Sequence, residues 1–437
     1  MSSSPRVTHD KLSFFEPPPF EYVPIEGVER LEGYQPGGYH PIEIGDVLQT
    51  RYRVVHKLGF GTYSTTWLCR DDQHEKYVAV KVGTGDSSSR EADILHALTS
   101  STGVSHPNHQ GRDMILPVRD RFVLEGPNGV HPCYVTAPAS CSVSGAKNGS
   151  YQRLFQARSA RSLIAQLVMA VEYIHSRGIV HGDLHLGNIL LRLPTDFDTL
   201  SVEELYAKYG PPTSEPIVRH DNQPLAPNVP KKAVLPVWLG KLCEKFTSPE
   251  VSILLSDFGE AFMPSMEDRC QSHVPIAFAP PESVFEPRTP LSYASDIWTL
   301  ACPIWSILGQ RPLFEGILAT QDDITAEQVD VLGKLPAEWW HEWPARQECF
   351  TDDGEARSDR HARSWEDRFI SHIQRPRSEA GISGICVEEK AAVLDMLRSM
   401  LAFRPEMRAT ARDVLKCDWM TKWALPELEE AKMKGSD

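Results

Sequence analysis

Long apolar runs are missing from this chain. Nowhere do about eighteen apolar residues stand together, and the first thirty residues hold no apolar h-region, so a secreted or membrane-spanning protein is not expected. Paired cysteines are missing as well. The nine cysteines are Cys69, Cys133, Cys141, Cys243, Cys270, Cys302, Cys349, Cys386 and Cys417, and no two form a CxxC pair. Neither a zinc site nor a disulfide framework is expected; reduced thiols of the cytoplasm or nucleus are. Positive charge is scarce: 45 Lys and Arg stand against 59 Asp and Glu, a formal net charge of -14. Nucleic acid needs clustered cations, so it is not expected as a direct partner, while basic protein segments suit an acidic surface. No internal repeat is present.

What remains is 437 residues, 41% of them hydrophobic, enough for a sizeable core in one large domain or two lobes. Residues 1–45 are rich in Pro, Gly and Ser and predict an extended tail, lying over the folded body. Strand-like runs follow at Tyr52–Leu58, Ser64–Cys69, Tyr77–Val82 and Cys133–Thr136, with one helix at Glu91–Leu98. Ser87-Ser88-Ser89 predicts a loop end and the cap of that helix. From about Ser159 the spacing turns helical, with Leu163, Ile164, Leu167, Val168, Val171 and Ile174 on one stripe and Gly178 as C-cap. Further helices are predicted at 294–308, 388–401 and 411–422. Between Leu191 and Val251 lies a polar, Pro-rich segment too long for an ordinary connection, which predicts an insertion carrying a function or disorder.

Four signals carry chemistry. Gly59-Phe60-Gly61-Thr62-Tyr63-Ser64 follows the first strand; glycine lets backbone N–H groups approach phosphate oxygens, although a hairpin turn uses the same residues. Lys81 stands inside the apolar strand VAVKV, where it needs an anionic partner, and Glu91 at the next helix offers one. Asp183 and Asn188, in His181-Gly182-Asp183-Leu184-His185-Leu186-Gly187-Asn188, lie five apart on one tight loop, so that one accepts a hydroxyl proton while the other binds a metal ion. Asp257, in Ser256-Asp257-Phe258-Gly259, ends a strand before a Gly hinge and suits a Mg²⁺ ligand.

In this order, these residues resemble the eukaryotic protein kinases, from about Tyr52 to Trp423. The resemblance implies an α+β, two-lobed fold: a β-rich small lobe over 46–138, a helical large lobe over 139–425 with a spacer at about 194–250, and a tail over 426–437. It implies ATP and Mg²⁺ as cofactors. ATP falls to Leu58, Gly59, Gly61, Thr62, Ser64, Ala79, Lys81, Glu91, Ala137 and Ala139, and the metal to Asn188 and Asp257. Catalysis falls to Asp183 as base, Lys81 and His185. The adenine-binding hinge falls at 137–140, where Pro138 lacks an N–H. Ala279-Pro280-Pro281-Glu282 matches the APE motif, with Glu282 pairing to a buried Arg408, and Asp296-Ile297-Trp298 matches DxW; these look structural.

Within the family, LGFGTYSTTWL (Leu58–Leu68), DIWTLACPIWSIL (Asp296–Leu308), DDITAEQVDVLGKLP (Asp322–Pro336) and GYQPGGYHPIEIGD (Gly33–Asp46) resemble a fungal-type branch of the SR-protein kinases. That implies transfer to Ser or Thr in Arg-Ser-rich or basic protein segments, by a monomer with no membrane partner. Two departures stand out. Gly182 replaces the Arg that normally pairs with an activation-loop phosphate, which implies weak dependence on such phosphorylation. His185 replaces a charge-neutralising Lys, as in aminoglycoside and choline phosphotransferases, so a pseudokinase and a small-molecule kinase are the rival readings. Of the remaining residues, His96, His106 and His109 read as surface histidines, and Trp339, Trp340 and Trp343 as packing.

Overall fold

The computed structural model describes residues 21–100, 109–358 and 360–434. His106 lies outside them. The small lobe is one antiparallel sheet in the order β1-β2-β3-β4-β6-β5. Its strands are β1 (Val47–Leu48), β2 (Tyr52–Gly61), β3 (Ser64–Asp71), β4 (Lys76–Gly83), β5 (Asp120–Gly126) and β6 (Gly129–Thr136). Alternation decides the faces. Val78, Val80 and Val82 turn to a core shared with Tyr52, Val54, Trp67, Cys133 and Val135, which leaves Ala79 and Lys81 to the opposite face. Against that side lies α1 (Arg90–Thr99), which buries Ala92, Ile94, Leu95 and Leu98. Ser89 occupies its N-cap position, but the hydroxyl donates to Asp93 Oδ2 at 3.2 Å and makes no bond to the backbone.

Only Ala137 and Pro138 join β6 to β7 (Ala139–Ser142), which opens the large lobe and leads into the short α2 (Val143–Asn148). There β7, β8 (Ile189–Arg192) and β11 (Ile253–Leu255) form a small sheet in the order β11-β8-β7. Two helices fill the lobe, α3 (Ala157–Ser176) and α6 (Tyr293–Leu308). Both are buried nearly all round, as helices at the centre of a large core are. Gly178, at φ +79°, turns the chain after α3, and its N–H donates to the His175 carbonyl at 2.9 Å. The helix predicted through 422 stops at Lys416, and a wider, π-type turn over Met420–Ala424 leads into a last helix, Leu425–Lys434. Where the sequence reading has a tail, that helix docks on α3 through Arg158 and Glu427, 2.8 Å apart. Trp339, Trp340 and Trp343 are core, packed with Phe350.

The insertion is built rather than loose. Its helix α4 (Val202–Tyr209), capped by Ser201 and Glu204, sets Leu205 against Val55, Leu68 and Tyr77 of the small lobe. The strands β9 (Ser214–Pro216) and β10 (Lys232–Val234) pair into a ribbon beside residues 21–40. All nine cysteines are free thiols, and no described helix is long and apolar enough to cross a membrane.

Candidate active site

Four segments meet between the lobes. The glycine hairpin joins β2 to β3, with Gly61 opposite Ser64 and Gly59 opposite Thr66. Added Cβ atoms at Gly59 and Gly61 would meet nothing within 4 Å, so packing inside the chain does not account for either glycine. Leu58 is half-buried at a bulge before them, and Thr62 lies in the turn. Ala79 sits opposite Thr136, next to the Ala137-Pro138 connection and Ala139.

Lys81 points into the same space. Its Nζ lies 2.8 and 3.0 Å from the two Glu91 carboxylate oxygens and 3.4 Å from Asp257 Oδ1. Burial alone would pull this ammonium down, but Tyr134, Glu91 and Asp257 around it outweigh that and hold it well above the ordinary lysine range. Tyr134, opposite Lys81 on β6, places its ring 5.8 Å under the ammonium. The sequence reading missed it; a tyrosine in the run Cys133–Thr136, one strand over from the lysine of VAVKV, was the available signal. Asp257 has φ +61°, a left-handed backbone that a non-glycine residue adopts at a cost. Burial works to raise its carboxyl, but Lys81 brings it below the usual range.

The loop carrying Asp183 is fixed from beneath. Asp296, at the start of α6, accepts from the backbone N–H groups of His181 at 2.7 Å and Gly182 at 3.0 Å, and from His175 Nε2 at 2.9 Å. His181 is wholly buried, which lowers its pKa, and its Nε2 contacts the Ser256 carbonyl at 3.1 Å. Asp296 therefore shapes the loop as well as the lobe. Asn188 Nδ2 donates to the Asp183 carbonyl at 2.9 Å and to its Oδ2 at 3.1 Å. Asp183 Oδ1 is buried without a hydrogen-bond partner. His185 Nδ1 accepts from the Gly187 N–H at 3.0 Å, which leaves the ring proton on Nε2, 3.4 Å from Asp183 Oδ2.

Gly182 has φ +79°, and a Cβ there would stand 2.6 Å from the Glu260 carbonyl oxygen. Glu260 itself gathers Arg269 at 2.7 Å and His273 at 2.8 Å, and Arg90 of α1 bonds the Ala261 carbonyl at 3.0 Å and pairs with Glu267. The segment after Asp257 is thus tied down by its own charges and by Arg90 of α1. At its far end, Glu282, opening α5 (Glu282–Phe285), meets Arg408 in two bonds of 2.8 and 2.6 Å.

The donor set fits a hard cation with phosphate oxygens. Asp183 stands beside the Asn188 amide and Asp257 beside Lys81, and carboxylate and amide oxygens are the ligands such a cation takes. Among the described residues no group of three or more His, Cys, Asp or Glu side chains is placed to hold a metal ion by itself, so a cation here would draw ligands from a bound phosphate.

A family model described as "Protein kinase domain" matches residues 52–199 and 244–420; the gap falls in the insertion. The chain is 28% identical over 404 residues to a serine/threonine protein kinase of Aspergillus fumigatus, with 90% of each covered. It is 25% identical over 417 residues to the serine/threonine-protein kinase SRPK of Physarum polycephalum, covering 90% of this chain and 91% of that one. Human SRSF protein kinase 3 is 36% identical over 170 residues, 38% of this chain and 30% of that one. A crystallised kinase domain shares the fold at a TM-score of 0.57 and 18% identity, over 87% of this chain and 98% of that one.

Proposed function

Because the chain belongs to the protein kinase domain family and is a serine/threonine protein kinase, we propose that it phosphorylates Arg-Ser-rich or otherwise basic protein segments, with Asp183 as the base. The buried, unpartnered Asp183 Oδ1 carries this reading: an acceptor with nothing to accept is costly unless a substrate hydroxyl supplies the proton. Asn188 and Asp257 would hold Mg²⁺, and the hairpin from Gly59 to Ser64, with Lys81, would hold the ATP phosphates. ATP·Mg²⁺ supplies the transferable phosphoryl group and neutralises its charge. Glu91 keeps Lys81 aimed. The hydroxyl oxygen forms its bond to phosphorus as the bond to the ADP oxygen breaks, and its proton passes to Asp183 Oδ1.

His185 stands in for the usual Lys by presenting Nε2–H into the same space. His185→Ala is expected to lower single-turnover transfer about tenfold, the size of one hydrogen bond lost from the transition state; an unchanged rate would remove His185 from the machinery. The Glu260–Arg269–His273 cluster supplies the charge contacts that a phosphorylated loop would otherwise make. Phosphatase treatment should therefore leave activity unaltered, and a large drop would point to a required phosphate, with Ser265 and Ser272 the serines between Asp257 and Glu282 to test first.

The Arg-Ser preference is supported by the names of the Physarum and human relatives and by the net charge of -14. The free thiols fit work in the cytoplasm or nucleus. The test is a panel of serine peptides with Arg-Ser repeats, Lys-rich, neutral and acidic flanks, plus choline. Preference for Arg-Ser and Lys-rich peptides is expected; equal use of acidic flanks would remove the substrate class, and transfer to choline alone would favour a small-molecule kinase.

A further inference from the structure

The glycine hairpin is not held by its sheet alone. Tyr39 reaches it from the segment that precedes the sheet. Its hydroxyl donates to the Gly61 carbonyl at 2.8 Å and makes a longer contact of 3.2 Å with that of Thr62, the two residues at the turn. Burial, then the Glu29 carboxylate, push this phenol up, so it stays a donor.

The ring is seated by close backbone. A Cβ on Gly33 would lie 2.5 Å from the Tyr39 ring, and one on Gly38 would lie 1.9 Å from the Gly33 carbonyl oxygen. Gly37 N–H donates to the Asn128 carbonyl at 2.7 Å, and Gly85 N–H to that of Gly38 at 2.9 Å. The run GYQPGGY is therefore a fitted plug between the end of β4 and the β5–β6 turn.

The insertion closes over the plug. Asn128 Nδ2 donates to the Tyr39 carbonyl at 2.7 Å and to that of Asn228 at 3.0 Å. Asn228 Nδ2 answers with the Tyr34 carbonyl at 2.9 Å and Asn128 Oδ1 at 3.0 Å. Tyr34 and Tyr39 share a small core with Ile217, Val229 and Ala233. Beneath it, Glu29 accepts from the Tyr34 hydroxyl and pairs with Lys57, a wholly buried ammonium two residues before Gly59. Such a pair holds register, because either charge left alone would be costly.

We propose that Tyr39 is a positioning residue for ATP: its hydroxyl pins the hairpin tip at the height of the phosphates, and the insertion, through Asn228, keeps that pin seated. The proposal rests on reading Gly59–Ser64 as the phosphate loop. Pinning cuts the ordering that a glycine turn must otherwise undergo when ATP binds.

Tyr39→Phe keeps the ring and deletes only the donor. Hydrogen–deuterium exchange of the nucleotide-free chain should quicken in the peptide spanning 58–66. ATP should bind about fivefold more weakly, the size of one hydrogen bond, while adenosine binds within about twofold of the unaltered chain. Asn228→Ala, which leaves the hydroxyl intact, should move both readouts the same way by less. Unchanged exchange in 58–66 overturns the pin. So does an equal loss for ATP and adenosine, which a merely structural role would give. If the unaltered chain fails to bind ATP, the phosphate-loop reading falls and takes this proposal with it. If that chain binds ATP and Tyr39→Phe leaves the ATP-to-adenosine ratio unmoved, the pin alone is lost.

Discussion

Asp183→Asn is expected to lower phosphate transfer about a thousandfold while leaving ATP affinity within about twofold. The substitution is nearly isosteric. Its amide oxygen can take the place of Oδ2 beside Asn188 Nδ2, where 3.1 Å now separates the pair. The NH₂ then occupies the position of the orphaned Oδ1, and an amide nitrogen accepts no proton. The loop itself should not move, because Asp296 holds its His181 and Gly182 N–H groups from below. Single-turnover transfer and calorimetric ATP binding on the same preparation separate the two effects. Near-normal turnover would mean that Asp183 is not the base; lost ATP binding would mean that its role is to build the site.

The second large effect concerns stability. Arg408→Ala should cost about 3–5 kcal/mol, because it leaves a buried carboxylate without its partner. The Arg408 side chain is fully buried and Glu282 nearly so. The guanidinium also serves the carbonyls of Ala402 at 2.8 Å, Ala294 at 2.9 Å and Phe403 at 2.9 Å, and stacks 5.0 Å over Trp298. Removal strands all of these at once. In thermal unfolding the midpoint should fall by on the order of 10 °C. Adding Glu282→Gln should recover part of the loss, since most of the cost is the uncompensated charge. If the second change deepens the loss, the charge argument fails and packing around Trp298 carries the effect.

These residues were legible because chemistry restricts them. A lysine in an apolar strand, an Asp and Asn five apart, and an Asp before Phe-Gly each demand a charged or metal-bound partner. Local pattern served equally well for β4, α1 and α3, where one face is buried and the period shows. It failed where the apolar stripe is weak or the contacts are long in sequence. β5 (Asp120–Gly126) alternates, yet it packs as an edge strand with Phe122 and Leu124 only partly buried, too weak a stripe to stand out. The insertion reads as polar and Pro-rich because its apolar residues are few. Leu205, Ile217 and Val229 find their partners in the small lobe and in residues 21–40, far away in sequence. Tyr39 could be noticed only as part of a glycine-rich stretch; that its hydroxyl meets Gly61 depends on a fit no periodicity encodes. The departure at Gly182 gains a physical reason from the structure: the backbone of Glu260 occupies the space where a Cβ would start.

Transfer from γ-labelled ATP, with Mg²⁺, to an Arg-Ser repeat peptide, read as label on peptide serine, decides whether the cleft works as a kinase on this substrate class. Labelled serine is expected, and it should disappear when Mg²⁺ is withheld. ATP bound in the cleft with no label on any serine or threonine substrate would contradict the kinase reading.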